Sequence, residues 1–251
     1  MKLPELSVFI PSCNEAANLE KIIPPALRLI ARMAETYELI IVQDRRSRDG
    51  SLDMIRRLIP DHRHLKLVEQ PESDPGYGRA LALGLQNSRY QLIFYTDADD
   101  QYYLEDLEKM VPHLRGADLV IGYRSPRKDP FLRLFTSGIY NSLVRVWFGL
   151  RIRDIDCSFK LFKKKAVEKM DFVCRTGAME IELILRARDR GFRIEEVPVR
   201  HRERRSGRSA FEAAEGRLFA LPRLDNIRRV LGEMLLLKKL FPRPDSTVES
   251  N

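Results

Sequence analysis

Cysteine is scarce in this 251-residue chain: Cys13, Cys157 and Cys174, with no Cys-x-x-Cys pair. That excludes a disulfide framework and a thiolate zinc site and points to a reducing compartment. No run of about 18 apolar residues occurs, so no segment is expected to cross a membrane. No Gly-x-Gly-x-x-Gly motif is present, which speaks against a dinucleotide enzyme. There is no internal repeat, and Met1-Lys2-Leu3-Pro4-Glu5 runs straight into a strand without a signal-peptide pattern. Negative charge is in deficit: 44 Lys and Arg stand against 36 Asp and Glu, a net charge of +8. That balance implies an anionic partner: nucleic acid, an acidic membrane surface or a phosphorylated ligand. The basic residues lack interleaved aromatics, which argues against single-stranded nucleic acid.

What is present alternates. Strands are expected at 6–10, 38–42, 65–69, 91–96 and 119–122. Between them helices are expected at 18–34, 51–58, 77–87 and 104–114, with Pro24-Pro25 kinking or restarting the first. Strand and helix at this pitch mean βαβ units and a mainly parallel sheet. Residues 1–123 thus read as a nucleotide-binding half. Beyond them the pattern changes, with helices at 134–148 and 177–190, strands at 158–162 and 192–199, and a basic run at 200–208. Residues 211–241 are helix-prone and 242–251 read as a disordered tail.

The most informative segment is Ile93-Phe94-Tyr95-Thr96-Asp97-Ala98-Asp99-Asp100. An apolar run of this kind reads as a buried parallel strand, and ligands of open α/β sheets bind beyond the carboxyl ends of such strands. Two carboxylates there suit Mg²⁺ or Mn²⁺, with water and phosphate completing the shell. The alternative is a solvated acidic turn. Pro11-Ser12-Cys13-Asn14-Glu15 forms the first βα turn, where a nucleotide would lie; alternatively Ser12 or Asn14 simply caps the helix. Asp44 ends the second strand, where its carboxylate can accept an N–H from a base, while Asp49-Gly50 reads as a turn. Gly76-Tyr77-Gly78-Arg79 opens a helix, with glycines that permit close backbone approach and an arginine within reach of phosphate.

In this order the motifs resemble the family 2 glycosyltransferases of GT-A fold. Gly122-Tyr123-Arg124 is similar to that family's G-S-R, and Asp154 to Phe162 is similar to D-x-x-x-G-[FY]-R-x-F. Glu180-Ile181-Glu182-Leu183, Glu196-Val197-Pro198-Val199 and Arg204-Arg205-Ser206-Gly207-Arg208-Ser209 match further motifs, so that the resemblance covers residues 6 to 211. Arg133 and Ser137 resemble the pair that holds the acceptor phosphate in dolichyl-phosphate mannose synthases. The chain departs from the pattern where Gln43-Asp44-Arg45-Arg46 replaces Asp-Asp-Gly-Ser, where Ser158 replaces a glycine and where Ala210 replaces a lysine.

The resemblance implies a GT-A, Rossmann-like α/β fold over 1–211 with its acceptor half at 124–211, and a helical extension at 212–241. It implies an inverting, metal-dependent hexosyltransferase that moves a sugar from a GDP- or UDP-sugar to a polyprenyl phosphate. Asp97 and Asp99 would hold Mg²⁺ or Mn²⁺ and act with Arg124 and Arg208. Pro11, Asn14, Glu15, Asp44, Gly78, Arg79 and Ala98 would bind the nucleotide. Arg124, Arg133, Ser137 and Arg204 would take the acceptor phosphate. A hydroxyl acceptor, or an inactive paralogue, is the alternative within the family. A basic nucleic-acid-binding protein is the alternative outside it. The lipid acceptor implies a cytoplasmic protein at a membrane surface. Residues 230–241 could form an interfacial helix there, with Leu231, Met234, Leu235 and Leu237 apolar and Lys238 and Lys239 snorkelling, or could instead pack on the domain or support an oligomer.

Overall fold

The structure, a computed structural model, describes residues 2–129, 131–203 and 224–243, with backbone alone at 131–133 and 224. The chain runs β1 (Leu3–Ser12), α1 (Ala16–Met33), β2 (Ala34–Asp44), α2 (Ser51–Leu58), β3 (Leu65–Gln70), α3 (Tyr77–Asn87) and β4 (Leu92–Thr96). It continues through α4 (Leu107–Met110), β5 (Leu119–Arg124), α5 (Phe131–Phe148), β6 (Phe159–Lys163), α6 (Lys164–Val167), α7 (Met179–Asp189), β7 (Ile194–Val199) and α8 (Leu224–Leu240). The strands form one sheet in the order β3-β2-β1-β4-β6-β5-β7. All pairs are parallel except those made by β6, which runs antiparallel to both β4 and β5. The nucleotide and acceptor halves expected from sequence therefore share a single sheet.

The continuous apolar strands bury both faces, and alternate residues supply two cores. Phe9, Ile40, Val42, Ile93, Tyr95 and Ile121 face the core under α3, α5, α7 and α8. Leu6, Val8, Ile10, Leu39, Ile41 and Phe94 face the core under α1 and α2. Helices α1 and α3 thus cover opposite faces on either side of β1. That is a topological switch point, and it opens a crevice at the carboxyl ends of β1 and β4.

Two expectations are corrected. Pro24 and Pro25 do not divide the first helix, since α1 continues through both. The carbonyls that lose amide partners belong to Glu20 and Lys21, which are exposed, so water can substitute. The helix expected at 104–114 is broken instead into a 3-10 turn at Leu104–Asp106, the short α4 and a second 3-10 turn at Val111–Arg115. Pro112 removes the donor that an α-helix would need there. Helix α8 packs on the domain: Met234 and Leu237 are fully buried, while Leu231, Leu235, Leu236 and Leu240 stay exposed. The apolar set expected for an interfacial helix therefore divides, with Met234 and Leu237 given to the core.

Two glycines show how tightly the layers meet. A Cβ on Gly84 of α3 would lie 2.2 Å from the Phe9 ring, whereas one on Gly138 of α5 meets nothing within 4 Å. Gly84→Ala should destabilise the protein by about 1–3 kcal/mol through overpacking. Gly138→Ala should stabilise it by up to about 1 kcal/mol through helix propensity. Chemical denaturation of the two variants checks the pair, and equal effects would contradict the packing described.

Candidate active site

Strand ends decide where the polar groups gather. Among the described residues, Ser12 Oγ, Gln43 Oε1 and Thr96 Oγ1 are some of the buried side-chain oxygens without a hydrogen-bond partner. They sit at the carboxyl ends of the adjacent strands β1, β2 and β4. Native interiors rarely leave such groups unpaired, so the cluster marks a surface built for a polar ligand.

Asp97 follows β4 directly. Its Oδ1 accepts the Tyr77 hydroxyl at 3.0 Å, and Ser158 also bonds the carboxylate. The Tyr77 hydroxyl lies 3.1 Å from Ser158 Oγ and 3.2 Å from Glu180 Oε1. The hydroxyl of buried Tyr95 donates to the same Glu180 oxygen. The other Glu180 oxygen takes Lys160 Nζ at 2.7 Å. Lys160 is fully buried and spends its remaining donors on the carbonyls of Cys157 (2.7 Å) and Ile155 (3.1 Å). A chain of hydroxyls and one ion pair thus fixes Asp97 from beneath. Asp99 is buried beside it and its Oδ1 accepts the Gln101 amide at 3.2 Å. Burial, then the charge of Asp99, pushes the Asp97 carboxyl up to about 7.

Two close carboxylates whose charge no bonded cation offsets at Asp97 fit a divalent cation. Among the described residues no group of three or more His, Cys, Asp or Glu side chains is arranged to hold a metal. Among the described residues the two aspartates are the donors at hand, a sparse set that suits Mg²⁺ or Mn²⁺ shared with phosphate.

The first and second βα loops interlock. The Asn14 amide, at a left-handed φ of 56°, donates to Ser47 Oγ at 3.0 Å, and Asn14 Oδ1 accepts from the Arg48 amide at 2.7 Å. Neither Ser12 nor Asn14 caps α1; Asp49 does so from the other loop, accepting the Ala16 amide at 2.7 Å. Glu15 is buried and accepts Asn18 Nδ2 at 2.5 Å. Gln43 stands where the resembling family has its first aspartate. Its Nε2 clamps Ser47 Oγ (2.6 Å) and Ser51 Oγ (2.9 Å). Asp44 is buried and gripped side-on by Arg46, whose Nε lies 3.0 Å from Oδ1 and whose terminal nitrogen lies 2.6 Å from Oδ2.

Other expected residues find different work. The glycines at the start of α3 meet backbone: a Cβ on Gly78 would lie 2.8 Å from Cys174 O and Arg175 C. Arg79 lies 3.3 Å from Asp74, a carboxylate shared with Arg175 at 3.2 Å. Pro11 and Ala98 are buried in the walls of the crevice. Arg124 is buried, with Nε and a terminal nitrogen on Asp154 at 2.6 and 2.7 Å and another on Asp129 at 3.5 Å. Ser137 accepts instead from Arg127, which sequence reasoning did not single out, at 3.0 Å. Arg202 bonds the Asp100 carboxylate and, at 2.5 Å, the Asp100 carbonyl, so the basic run enters beside the aspartate loop. The side chain of Arg133, and Arg204 and Arg208 entirely, lie outside the described residues.

Asp156 ties the site to pH. Burial pushes its carboxyl up to about 6; Arg124 pulls against this while Asp154 and Glu180 add to it. The folded state therefore holds this proton more tightly than the unfolded chain. The stability it contributes is full below the unfolded value of ~4 and is lost as pH rises through the folded value. Asp156→Asn should remove that loss. Its melting temperature relative to wild type should climb between about pH 4 and about pH 6, and a pH-independent difference would contradict the assignment.

The Glycosyl transferase family 2 model matches residues 7–171. The chain is 28% identical over 209 residues to an undecaprenyl-phosphate 4-deoxy-4-formamido-L-arabinose transferase of Shewanella sediminis, covering 82% of this chain and 61% of that one. It is 29% identical over 215 residues to a polyprenol monophosphomannose synthase of Mycolicibacterium smegmatis, covering 80% and 78%. The chain thus spans about three fifths of the first relative's length. The crystal structure of glucosyl-3-phosphoglycerate synthase from Mycobacterium tuberculosis, in complex with Mn²⁺, UDP and glucosyl-3-phosphoglycerate, superposes with a TM-score of 0.69 at 20% identity, over 97% of this chain and 82% of that one. The fold is GT-A, and with a matched region that runs from β1 past β6 and holds the switch-point crevice with both of its aspartates, the chain belongs to glycosyl transferase family 2.

Proposed function

We propose that this chain is an inverting glycosyltransferase that moves a sugar from a nucleotide-sugar to a polyprenyl phosphate. The observation that carries the donor half is the Asp97–Asp99 pair at the switch point, with Asp97 held by the Tyr77 hydroxyl and Asp99 by the Gln101 amide. A divalent cation there would neutralise the charge that builds on the departing diphosphate. The nucleoside would lie across β1, with its base over the end of β2 near Asp44 and its phosphates towards β4. Pro11, Asn14, Glu15, Gly78, Arg79 and Ala98 shape or brace that cleft. An acceptor phosphate oxygen would bond to the anomeric carbon from the face opposite the diphosphate. The bond from that carbon to the diphosphate oxygen breaks with its electron pair, which inverts the centre. A phosphate acceptor is already anionic near neutral pH and requires no strong general base.

The acceptor half rests on charge and exposure. Arg133 and Ser137 share α5, one turn apart, and Arg127 braces the Ser137 hydroxyl. Arg204 and Arg208 would add positive charge between two phosphate-bearing substrates. Arg124, held by Asp154 and Asp129, would organise this wall from within. Phe135, Ile139 and Val146 of α5 and Leu231, Leu235, Leu236 and Leu240 of α8 are exposed. Lys238 Nζ sits 5.0 Å above the Trp147 ring and joins the two helices. This apolar face with basic neighbours suits a peripheral seat on an anionic bilayer. No helix among the described residues is long and apolar enough to cross one. The two relatives, an undecaprenyl-phosphate 4-deoxy-4-formamido-L-arabinose transferase and a polyprenol monophosphomannose synthase, favour the same acceptor class.

Asp99→Asn should abolish Mn²⁺-dependent binding of nucleoside diphosphates while leaving the melting temperature of the apoprotein near wild type. Calorimetric binding unchanged in that variant would sink the donor assignment. With polyprenyl phosphate in anionic vesicles, Arg133→Ala should raise the apparent KM for the lipid about tenfold or more, the scale of a lost charge-assisted hydrogen bond, at unaltered donor affinity. Wild-type kinetics there, or transfer only to uncharged sugars, would leave a family 2 enzyme with a different acceptor.

A further inference from the structure

We propose that Arg46, buttressed by Asp44, is the group that reads the donor base, and that it selects guanine. The inference rests on the donor-site reading above and adds the identity of the nucleotide. An ionised carboxylate offers about four lone-pair sites. Asp44 has filled three of them with Arg46: Oδ1 takes the Arg46 amide at 2.9 Å and Arg46 Nε at 3.0 Å, and Oδ2 takes a terminal Arg46 nitrogen at 2.6 Å. Asp44 itself is only 3% exposed. That leaves at most one lone pair, on a buried oxygen, for a base N–H.

What faces outward is the guanidinium. The Arg46 side chain is 53% exposed while its partner is buried. Asp44 holds the edge formed by Nε and one terminal nitrogen. The opposite edge, formed by the two terminal nitrogens, keeps a parallel pair of N–H donors in fixed orientation. Such a fork matches two adjacent acceptors. Guanine presents them as O6 and N7, the commonest arginine–base pairing. Adenine places an amino donor beside N7, and uracil places its N3–H between its two carbonyls, so each sets donor against donor; cytosine offers N3 and O2 as a second adjacent pair, and titration with CDP separates it from guanine. The buttress also fixes the rotamer before the ligand arrives, which lowers the ordering cost of binding. Gln43 strengthens the arrangement by clamping Ser47 and Ser51, which holds the loop that carries Arg46.

The test is calorimetric titration of the whole protein with GDP, UDP, CDP and ADP, each with Mn²⁺, on wild type, Arg46→Ala and Arg46→Lys. Arg46 is on the surface, and the melting temperature of each variant verifies that it is folded. Wild type should bind GDP about tenfold or more tightly than UDP and ADP, the scale of one bidentate base contact, and more tightly than CDP. Arg46→Ala should remove most of that preference and leave UDP affinity within about twofold of wild type. Arg46→Lys should not restore it, because an ammonium has no fork. A wild type that prefers UDP, CDP or ADP, or an Arg46→Ala variant that weakens all four nucleotides equally, would overturn the guanine assignment. The transferase reading would survive either result so long as binding still required Mn²⁺ and Asp99. Absence of Mn²⁺-dependent binding by any of the four would overturn both.

Discussion

The buried ion pair between Lys160 and Glu180 is the interaction on which the site depends. It joins β6 to α7 at 2.7 Å with Lys160 wholly inside the protein. Two desolvated charges are a poor source of stability by themselves, and removing one partner of such a pair typically costs about 3–5 kcal/mol. Here the cost of burial is offset because the remaining hydrogen-bonding capacity is largely used. Lys160 meets two carbonyls, and Glu180 receives the hydroxyl of Tyr95 with the Tyr77 hydroxyl 3.2 Å away. Through Tyr77 this network reaches Asp97. A carboxylate ready for a cation is thus held on a rigid interior lattice drawn from α3, β4, β6 and α7. The antiparallel insertion of β6 makes this possible, since it brings Lys160 directly opposite Tyr95.

A second constraint runs along the other side of the crevice. Gly78 allows α3 to touch the backbone of residues 174–176, and a side chain there would push the two apart. The same loop is gripped from behind by Glu233 of α8, which accepts the Arg175 and Thr176 amides at 2.9 and 3.1 Å and the Thr176 hydroxyl at 2.6 Å. The C-terminal helix therefore closes the stack that positions Tyr77. Its outer leucines remain free for a surface because its inner ones, Met234 and Leu237, are committed to the core. A helix with this division couples whatever meets its outer face to the loop that supports α3.

Much of this was legible in the sequence, for identifiable reasons. The continuous apolar strands, the helices at 51–58 and 77–87 and the carboxylates after β4 follow from local chemistry that tertiary structure had no cause to override. The hydrogen-bonded neighbours were not legible, because pairing between residues far apart leaves no periodicity. Lys160 did carry a signal: a lysine inside Phe159-Lys160-Leu161-Phe162 must be buried, and a buried charge requires a partner. Glu180 was that partner, but it could not be named before β6 was placed beside β4. The double proline of α1 misled for a different reason, since the helix face on which carbonyls lose their donors is set by packing. The role of Gly78 was also inverted. Its backbone approaches protein, where a ligand had been expected.

The arginines carry the deeper lesson about charge. A net charge of +8 suggests a surplus ready for anionic ligands. In the structure Arg124 is consumed by Asp154 and Asp129, Arg200 by buried Asp106, and Arg202 by Asp100. Each of these ends or follows a strand at the crevice rim, where paired charges fix loops more than they attract substrates. Arg46 differs because its carboxylate partner is buried while it stays exposed. Pairing then removes the orientational freedom of the guanidinium without removing its outward donors. An arginine held in this way discriminates by geometry, whereas one free in solvent discriminates only by charge. The departure from the family pattern at residues 43–46 is therefore better understood as a rebuilt recognition element than as damage to an old one. Gln43 Nε2 holds Ser47 and Ser51, and Asp44 is paired with Arg46, so the replaced residues each keep a structural partner in the loop.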